Sequence, residues 1–289
     1  MSEPVQELKR VTPANLLVAV AIVVIIQLGA LMITNQNQPT YQVIVNETGY
    51  SYNLFGNSAA GAAGNVTLLV AFAFVATLAL LWVLRKRMIL SFKLLIFAST
   101  ALAAFTLTFV TTADVASNYI PSQNVIPLSL LLSALAVMLV GLNIFVKASP
   151  WLSTIILGFI GAEVGSFFAQ TLPPLTALIL PIAFALYDIY AVFRGPLKHL
   201  VGTSPGVALT GMSVKLGEFT LGLGDVVFYT MLPSLAYVST GSLAATIATI
   251  VAIDVGVVAT LFLLSRKRLL PGLPIPMLLG VATLLAFLV

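Results

Sequence analysis

The chain has 289 residues, 60% of them hydrophobic and 8% charged, with a mean hydropathy of +1.11. So little charge over that length excludes a soluble globular protein and leaves a polytopic membrane protein. Cysteine is absent and His199 is the single histidine, which excludes disulfides, a thiolate nucleophile and a His/Cys zinc site. With no His-Glu-x-x-His motif, metal-dependent proteolysis is excluded as well, and no metal or other cofactor is expected.

A span needs about 20 mostly apolar residues. Nine stretches meet that measure: 14–34, 64–84, 88–112, 126–146, 151–169, 174–193, 219–240, 243–264 and 272–289. The predicted fold class is therefore all-α, with nine transmembrane helices in one domain over 1–289. Residues 1–169 would supply the first five helices and 174–289 the last four. Met1 to Arg10 leads into the first span without a small-residue cleavage pattern, so the reading is a retained span rather than a signal peptide. Loop 35–63 carries Tyr41, Tyr50, Tyr52 and Phe55, and Val43-Ile44-Val45 within it suits a short strand or an interfacial segment. The small-residue stretch Ala59 to Gly64 reads as close helix packing or a flexible start to the second span. Loop 194–218 is rich in Gly, Ser and Thr and is expected to be mobile and to gate access.

The basic residues fix the expected orientation. Lys9 and Arg10 precede the first span, and Arg85, Lys86, Arg87 and Lys93 flank the turn between the second and third. Lys147 lies between the fourth and fifth; Arg194, Lys198 and Lys215 between the sixth and seventh; Arg266, Lys267 and Arg268 between the eighth and ninth. All thirteen fall on one side, which predicts a cytoplasmic N-terminus and an external C-terminus. The excess positive charge is orientation and not a nucleic-acid surface, since no basic module with interleaved aromatics is present.

Two aspartates interrupt the apolar runs: Asp188 in Leu-Tyr-Asp-Ile-Tyr and Asp225 in Leu-Gly-Leu-Gly-Asp-Val-Val-Phe-Tyr. Ionisable groups at membrane depth are costly and mark function. Asp188 precedes Arg194 by six residues, which puts it roughly 9 Å into the membrane at 1.5 Å per helical residue. A seventh helix starting near Glu218 would put Asp225 roughly 10 Å deep from the same face. Two level carboxyls on antiparallel neighbours would share one proton, with one acting as base on a water and the other as acid. Gly222 and Gly224 would let a substrate backbone approach, and Tyr187 and Tyr229 would bracket the site as donors. Charge and depth alone leave three readings open: hydrolysis, a proton or cation conduit, and structural hydrogen bonding.

The local sequences carry a resemblance. Tyr187-Asp188 with Ala191-Val192 resembles the Tyr-Asp motif of the sixth presenilin helix. Lys215-Leu216-Gly217 followed by Gly222-Leu223-Gly224-Asp225 resembles the Gly-x-Gly-Asp motif of the seventh. Pro271-Gly272-Leu273 resembles the Pro-Ala-Leu motif of the last, with Gly where the family usually has Ala. The resemblance runs over the whole chain and implies an intramembrane aspartyl protease of the presenilin and signal peptide peptidase clan, with Asp188 and Asp225 catalytic. It implies that Tyr187, Gly222, Leu223, Gly224, Pro271, Gly272 and Leu273 contact substrate, a transmembrane helix unwound locally in the bilayer. The charge bias matches the presenilin orientation. Loop 194–218 lacks the long acidic insertion of animal presenilins, so the expectation is a microbial homologue in the cell membrane, free of obligatory subunits and compatible with a homo-oligomer. Pro271, Pro274 and Pro276 are expected to keep the start of the last helix irregular, with backbone groups available to substrate.

Other motifs carry less. Gly202 to Gly206 matches G-x-S-x-G, but it lies in a short loop with Pro205 after the serine and only His199 nearby. Glu163 and Asp254 are read as hydrogen-bonding glue between helices, with a hydration or ion path as the second reading. Asn46 and Asn65 both fit the N-glycosylation pattern.

Overall fold

The computed structural model describes residues 12–146, 148–194, 213–216, 219–264 and 270–288. Nine helices and one hairpin make up the described residues. They are α1 (Pro13–Thr48), α2 (Ala59–Arg85), α3 (Ile89–Ser117), α4 (Ser122–Gly141, closing in a π-helical turn Leu142–Val146), α5 (Pro150–Thr171) and α6 (Pro174–Phe193). The hairpin β1 (Ser213–Leu216) and β2 (Phe219–Gly222) follows, then α7 (Leu223–Thr240), α8 (Leu243–Leu264) and α9 (Pro274–Leu288). Seven helices are long and apolar enough to cross a membrane unaided: α1 to α6, with the π turn included in α4, and α8.

The other two depart from the expected spans. The seventh was predicted from 219, yet residues 219–222 are a strand paired antiparallel with 213–216, in the register Val214 to Leu221, and α7 begins only at Leu223. Val214 and Leu221 are buried together, which ties the hairpin to the core. The ninth helix is 15 residues long and starts at Pro274, with Pro271 to Leu273 outside it. Pro276 falls inside its first turn, where its missing N–H has no intrahelical acceptor to lose. Non-helical backbone at membrane depth must be sheltered by protein. Both stretches are, with Pro271 and Leu273 as well as Val214 and Leu221 buried.

The first helix also departs from expectation, in the other direction. Residues 35–48 continue α1 instead of forming loop or strand, and Pro39 sits inside the helix. The polar stretch finds buried partners: Asn37 donates to Thr111 at 2.9 Å, Thr40 to Asp114 at 2.7 Å, and Tyr41 packs edge-on to Phe167. The loop shrinks to Gly49–Ser58 and is tied down by Asn65, which accepts from the Phe55 N–H and donates to the Gly56 carbonyl. Asn65 is fully buried, so its glycosylation pattern is overturned by packing. Gly61 and Gly64 lie against Phe55 and Gly56, which makes the small-residue stretch a packing surface.

At the centre stands α7, whose residues Val226 to Ala236 are all buried. Helix α5 runs along it because glycines allow close approach: a methyl on Gly161 would sit 2.7 Å from Val226, and one on Gly165 2.7 Å from the Val227 carbonyl oxygen. On the far side Gly280 of α9 meets Leu232, and Gly256 of α8 meets Pro276. Thr34 of α1 bridges Ser166 of α5 and Ser234 of α7, each at 2.9 Å. Such contacts replace the hydrophobic effect, which does not drive helix association in lipid.

Candidate active site

Helix α6 carries Asp188 on its penultimate turn, next to the exposed Ile189 and Tyr190. Its Oδ2 accepts the Leu273 N–H at 3.2 Å. Asp225 lies in the first turn of α7 and owes its place to the β2–α7 junction. Gly222 is the N-cap, in extended conformation, and its N–H donates back to Asp225 Oδ2 at 3.2 Å. That is half of a capping box, with the acidic side chain three residues into the helix satisfying the cap backbone.

Gly272 lies against the Asp225 carboxyl. A methyl built on it would lie 2.8 Å from Asp225 Oδ2 and 3.2 Å from its Cγ, so its Cα abuts Asp225 while the next N–H binds Asp188. Tyr229, one turn beyond Asp225, donates its hydroxyl to the Gly272 carbonyl at 2.8 Å. The helices also meet through Phe184 and Phe228, with ring centroids 4.9 Å apart. The two aspartates therefore contact one dipeptide, and α7 starts later than the depth argument assumed.

The remaining expected residues divide. Gly224 faces open space, with nothing within 4 Å of an added methyl, so a backbone can approach beside Asp225. Leu223 is half-buried and points toward Gly161 of α5. Pro271 is buried, and the Leu273 side chain is 5% exposed and belongs to the core, so only its backbone faces Asp188. The Tyr187 hydroxyl does not bracket the aspartates. It donates to Thr77 of α2 at 3.0 Å, and its ring packs edge-on to Phe74 and Phe184. Lys215, matched to the Gly-x-Gly-Asp element, is on β1 opposite Thr220. His199 and Gly202 to Gly206 lie outside the described residues.

The other intramembrane acids sit elsewhere. Glu163 is 2% exposed and accepts from Thr108 of α3 at 3.0 Å, as expected of a link between helices. Asp254 of α8 lies beside Gln27 of α1, and Gln27 in turn donates to the Tyr229 carbonyl at 3.4 Å. Among the described residues no three His, Asp or Glu side chains gather into a metal-binding group.

Sequence reasoning missed the hairpin. Its signal was present: the alternation Val214-Lys215-Leu216 and Phe219-Thr220-Leu221 around two residues beginning with Gly217 has the period of a hairpin, not of a helix. Gln27, polar in the middle of the first span, was also passed over.

A search of curated protein sequences finds no match. Among solved structures, that of a presenilin family intramembrane aspartate protease in a C222 crystal form superposes with a TM-score of 0.66 at 20% identity, covering 94% of this chain and 98% of the other. A P2 crystal form of such a protease gives 0.58 at 20% identity, covering 99% and 98%. At that identity the likeness concerns the fold. The family model described as Presenilin matches residues 3–206 and 212–288, nearly the whole length, and the chain belongs to the presenilin family.

Proposed function

We propose that the protein is an intramembrane aspartyl endopeptidase that cleaves peptide bonds within transmembrane helices of its substrates. The observation that carries this reading is the meeting of Asp188 and Asp225, from different helices, on the Gly272–Leu273 dipeptide. Two such carboxyls in a low dielectric hold one proton between them. The ionised member removes a proton from water as the water oxygen attacks the scissile carbonyl carbon. The protonated member delivers its proton to the carbonyl oxygen, giving a gem-diol. The newly protonated member then gives its proton to the amide nitrogen while the other takes one from a gem-diol hydroxyl; the C–N bond breaks to leave a carboxylic acid and an amine, and the pair again holds one proton.

A transmembrane helix shields its own peptide bonds, so the substrate must be unwound first. The hairpin ends three residues before Asp225 and offers a strand edge to which an extended segment can add. This shifts the expected backbone pairing from residues 271–273, whose 272–273 peptide is already bonded on both sides, to the hairpin. The open space at Gly224 lets the scissile bond come beside Asp225.

The protein would sit in the cell membrane of a microbe with its N-terminus cytoplasmic, and would receive water from that side. The Tyr187–Thr77 bond supports the sidedness: it lies eight residues before Arg85 on α2 and seven before Arg194 on α6, so both basic helix ends share one face. Catalysis needs no further subunit in this account. The second reading, a proton or cation conduit, draws on the buried Glu163 and Asp254. One experiment separates the two. Purified protein in proteoliposomes with a single-span substrate and an internal ion-sensitive dye should cleave the substrate without raising proton or cation flux above that of empty vesicles. Flux without cleavage across a panel of single-span substrates would favour the conduit.

A further inference from the structure

The carbonyl of Gly272 and the N–H of Leu273 belong to the same peptide unit, and each is held by a different helix. Tyr229 of α7 donates to the oxygen at 2.8 Å, and Asp188 of α6 accepts from the nitrogen at 3.2 Å. The unit thus connects two side chains that do not otherwise touch it by chance of sequence: Tyr229 lies one turn after Asp225, on the same face of α7. Tyr229 is 1% exposed and its own backbone carbonyl accepts from Gln27, so its position is set by the core and not by solvent. The third contact is steric, with Gly272 against the Asp225 carboxyl.

We propose that Tyr229 is a positioning residue for the aspartate pair, acting through the 272–273 peptide as a strut between α6 and α7. This rests on the aspartyl protease reading above. A peptide unit is planar and stiff, so fixing its oxygen fixes the direction of its N–H. With Tyr229 in place, the Leu273 N–H is aimed at Asp188 Oδ2 and holds that carboxyl in one orientation relative to Asp225. Without the hydroxyl, the Gly272 carbonyl loses the donor that orients it, and the unit turns to find another. The Asp188 carboxyl then loses its fixed partner, although neither aspartate has been changed.

Glycine at 272 belongs to the same device. A methyl there would lie 2.8 Å from Asp225 Oδ2, so the Asp225 carboxyl, which accepts from Gly222, would have to shift. The strut therefore lies closer to Asp225 than a side chain would permit, and Gly272→Ala should disturb Asp225 where Tyr229→Phe disturbs Asp188.

The test is kinetic, on full-length protein in proteoliposomes with a single-span substrate. Tyr229→Phe removes one oxygen and should lower kcat by about 10- to 100-fold, the loss expected from misplacing a reacting group by under 1 Å, with KM changed little. A purely structural role would lower the folded fraction instead, leaving kcat per folded molecule unchanged. Affinity for a peptide mimic bearing a hydroxyl at the scissile position gives a second readout. Tyr229→Phe should weaken it in the wild-type background and add nothing in an Asp188→Asn background, because the effect passes through Asp188. Equal losses in both backgrounds, or an unchanged kcat, would overturn the strut. Should Tyr229→Phe fail to fold, Tyr229→4-aminophenylalanine and Tyr229→4-methylphenylalanine carry the test: both fill the space of the hydroxyl, only the first can donate to the Gly272 carbonyl, and equal kcat in the two would overturn the strut. If wild type neither cleaves nor binds the mimic, the protease reading itself fails, which is a different result from an active enzyme indifferent to Tyr229.

Discussion

Helices α2 and α4 and helices α7 and α9 solve opposite problems. The first two run for 27 and 20 residues without a strand or an irregular start, and only 17% of the most apolar window of each is buried. They face lipid, and their outward positions are large and apolar: Phe72, Val75, Leu78 and Trp82 on α2, Leu131, Leu135 and Met138 on α4. The second pair is shorter, at 18 and 15 residues, and each begins after a stretch of non-helical backbone. Lipid would not tolerate those stretches, so they exist only because other helices enclose them. Both stretches end at the aspartates. The comparison teaches that the site is built where the membrane rule is broken, and that α1, α5, α6 and α8, which pack around the hairpin, α7 and α9, make the breach possible by enclosing it.

Breaking the enclosure should cost most. Gly165 of α5 lies against the backbone of α7, where the Val227 carbonyl and the Met231 N–H cannot give way to a methyl. Gly165→Ala is expected to destabilise by about 1–3 kcal/mol and to lower the thermal midpoint in detergent. The same change at Gly29 of α1, where nothing lies within 4 Å, should leave the midpoint unchanged or raise it slightly. Equal responses at the two positions would mean that α5 and α7 are not packed as described.

A smaller effect is expected at the polar link of three helices. Thr34→Val removes a hydroxyl shared with Ser166 and Ser234 and should cost about 1 kcal/mol, the usual scale for interhelical hydrogen bonds in membranes. The smallest change is expected at Glu163. Glu163→Gln keeps an acceptor for Thr108, so cleavage should stay within about twofold of wild type. Loss of cleavage there on the scale of an aspartate substitution would place Glu163 in the reaction and dissolve the distinction between site and scaffold.

The same contrast governs what could be read from sequence. Lipid-facing spans were legible to within a few residues, since apolar length is all that they require. That Asp188 and Asp225 would meet from neighbouring helices was legible too, because charge in an apolar run calls for a sheltered partner. Residues 35–48 were misread: Asn37, Thr40 and Tyr41 look like loop until α3 and α5 supply partners. The start of α7 was misread for the converse reason. Phe219 to Leu221 are apolar enough to extend a helix, and only pairing with residues 213–216 makes them a strand. Tyr187 sits beside an aspartate in sequence, yet one step along a helix turns a side chain by about 100°, and its hydroxyl reaches α2 instead. Tertiary partners, which local pattern does not contain, decided each of these.

The most direct test of the central claim is cleavage of a purified single-span substrate in proteoliposomes by wild type, Asp188→Asn and Asp225→Asn, each checked for a wild-type thermal midpoint. The account predicts cleavage by wild type and none by either variant. Cleavage that survives both substitutions in folded protein would contradict it.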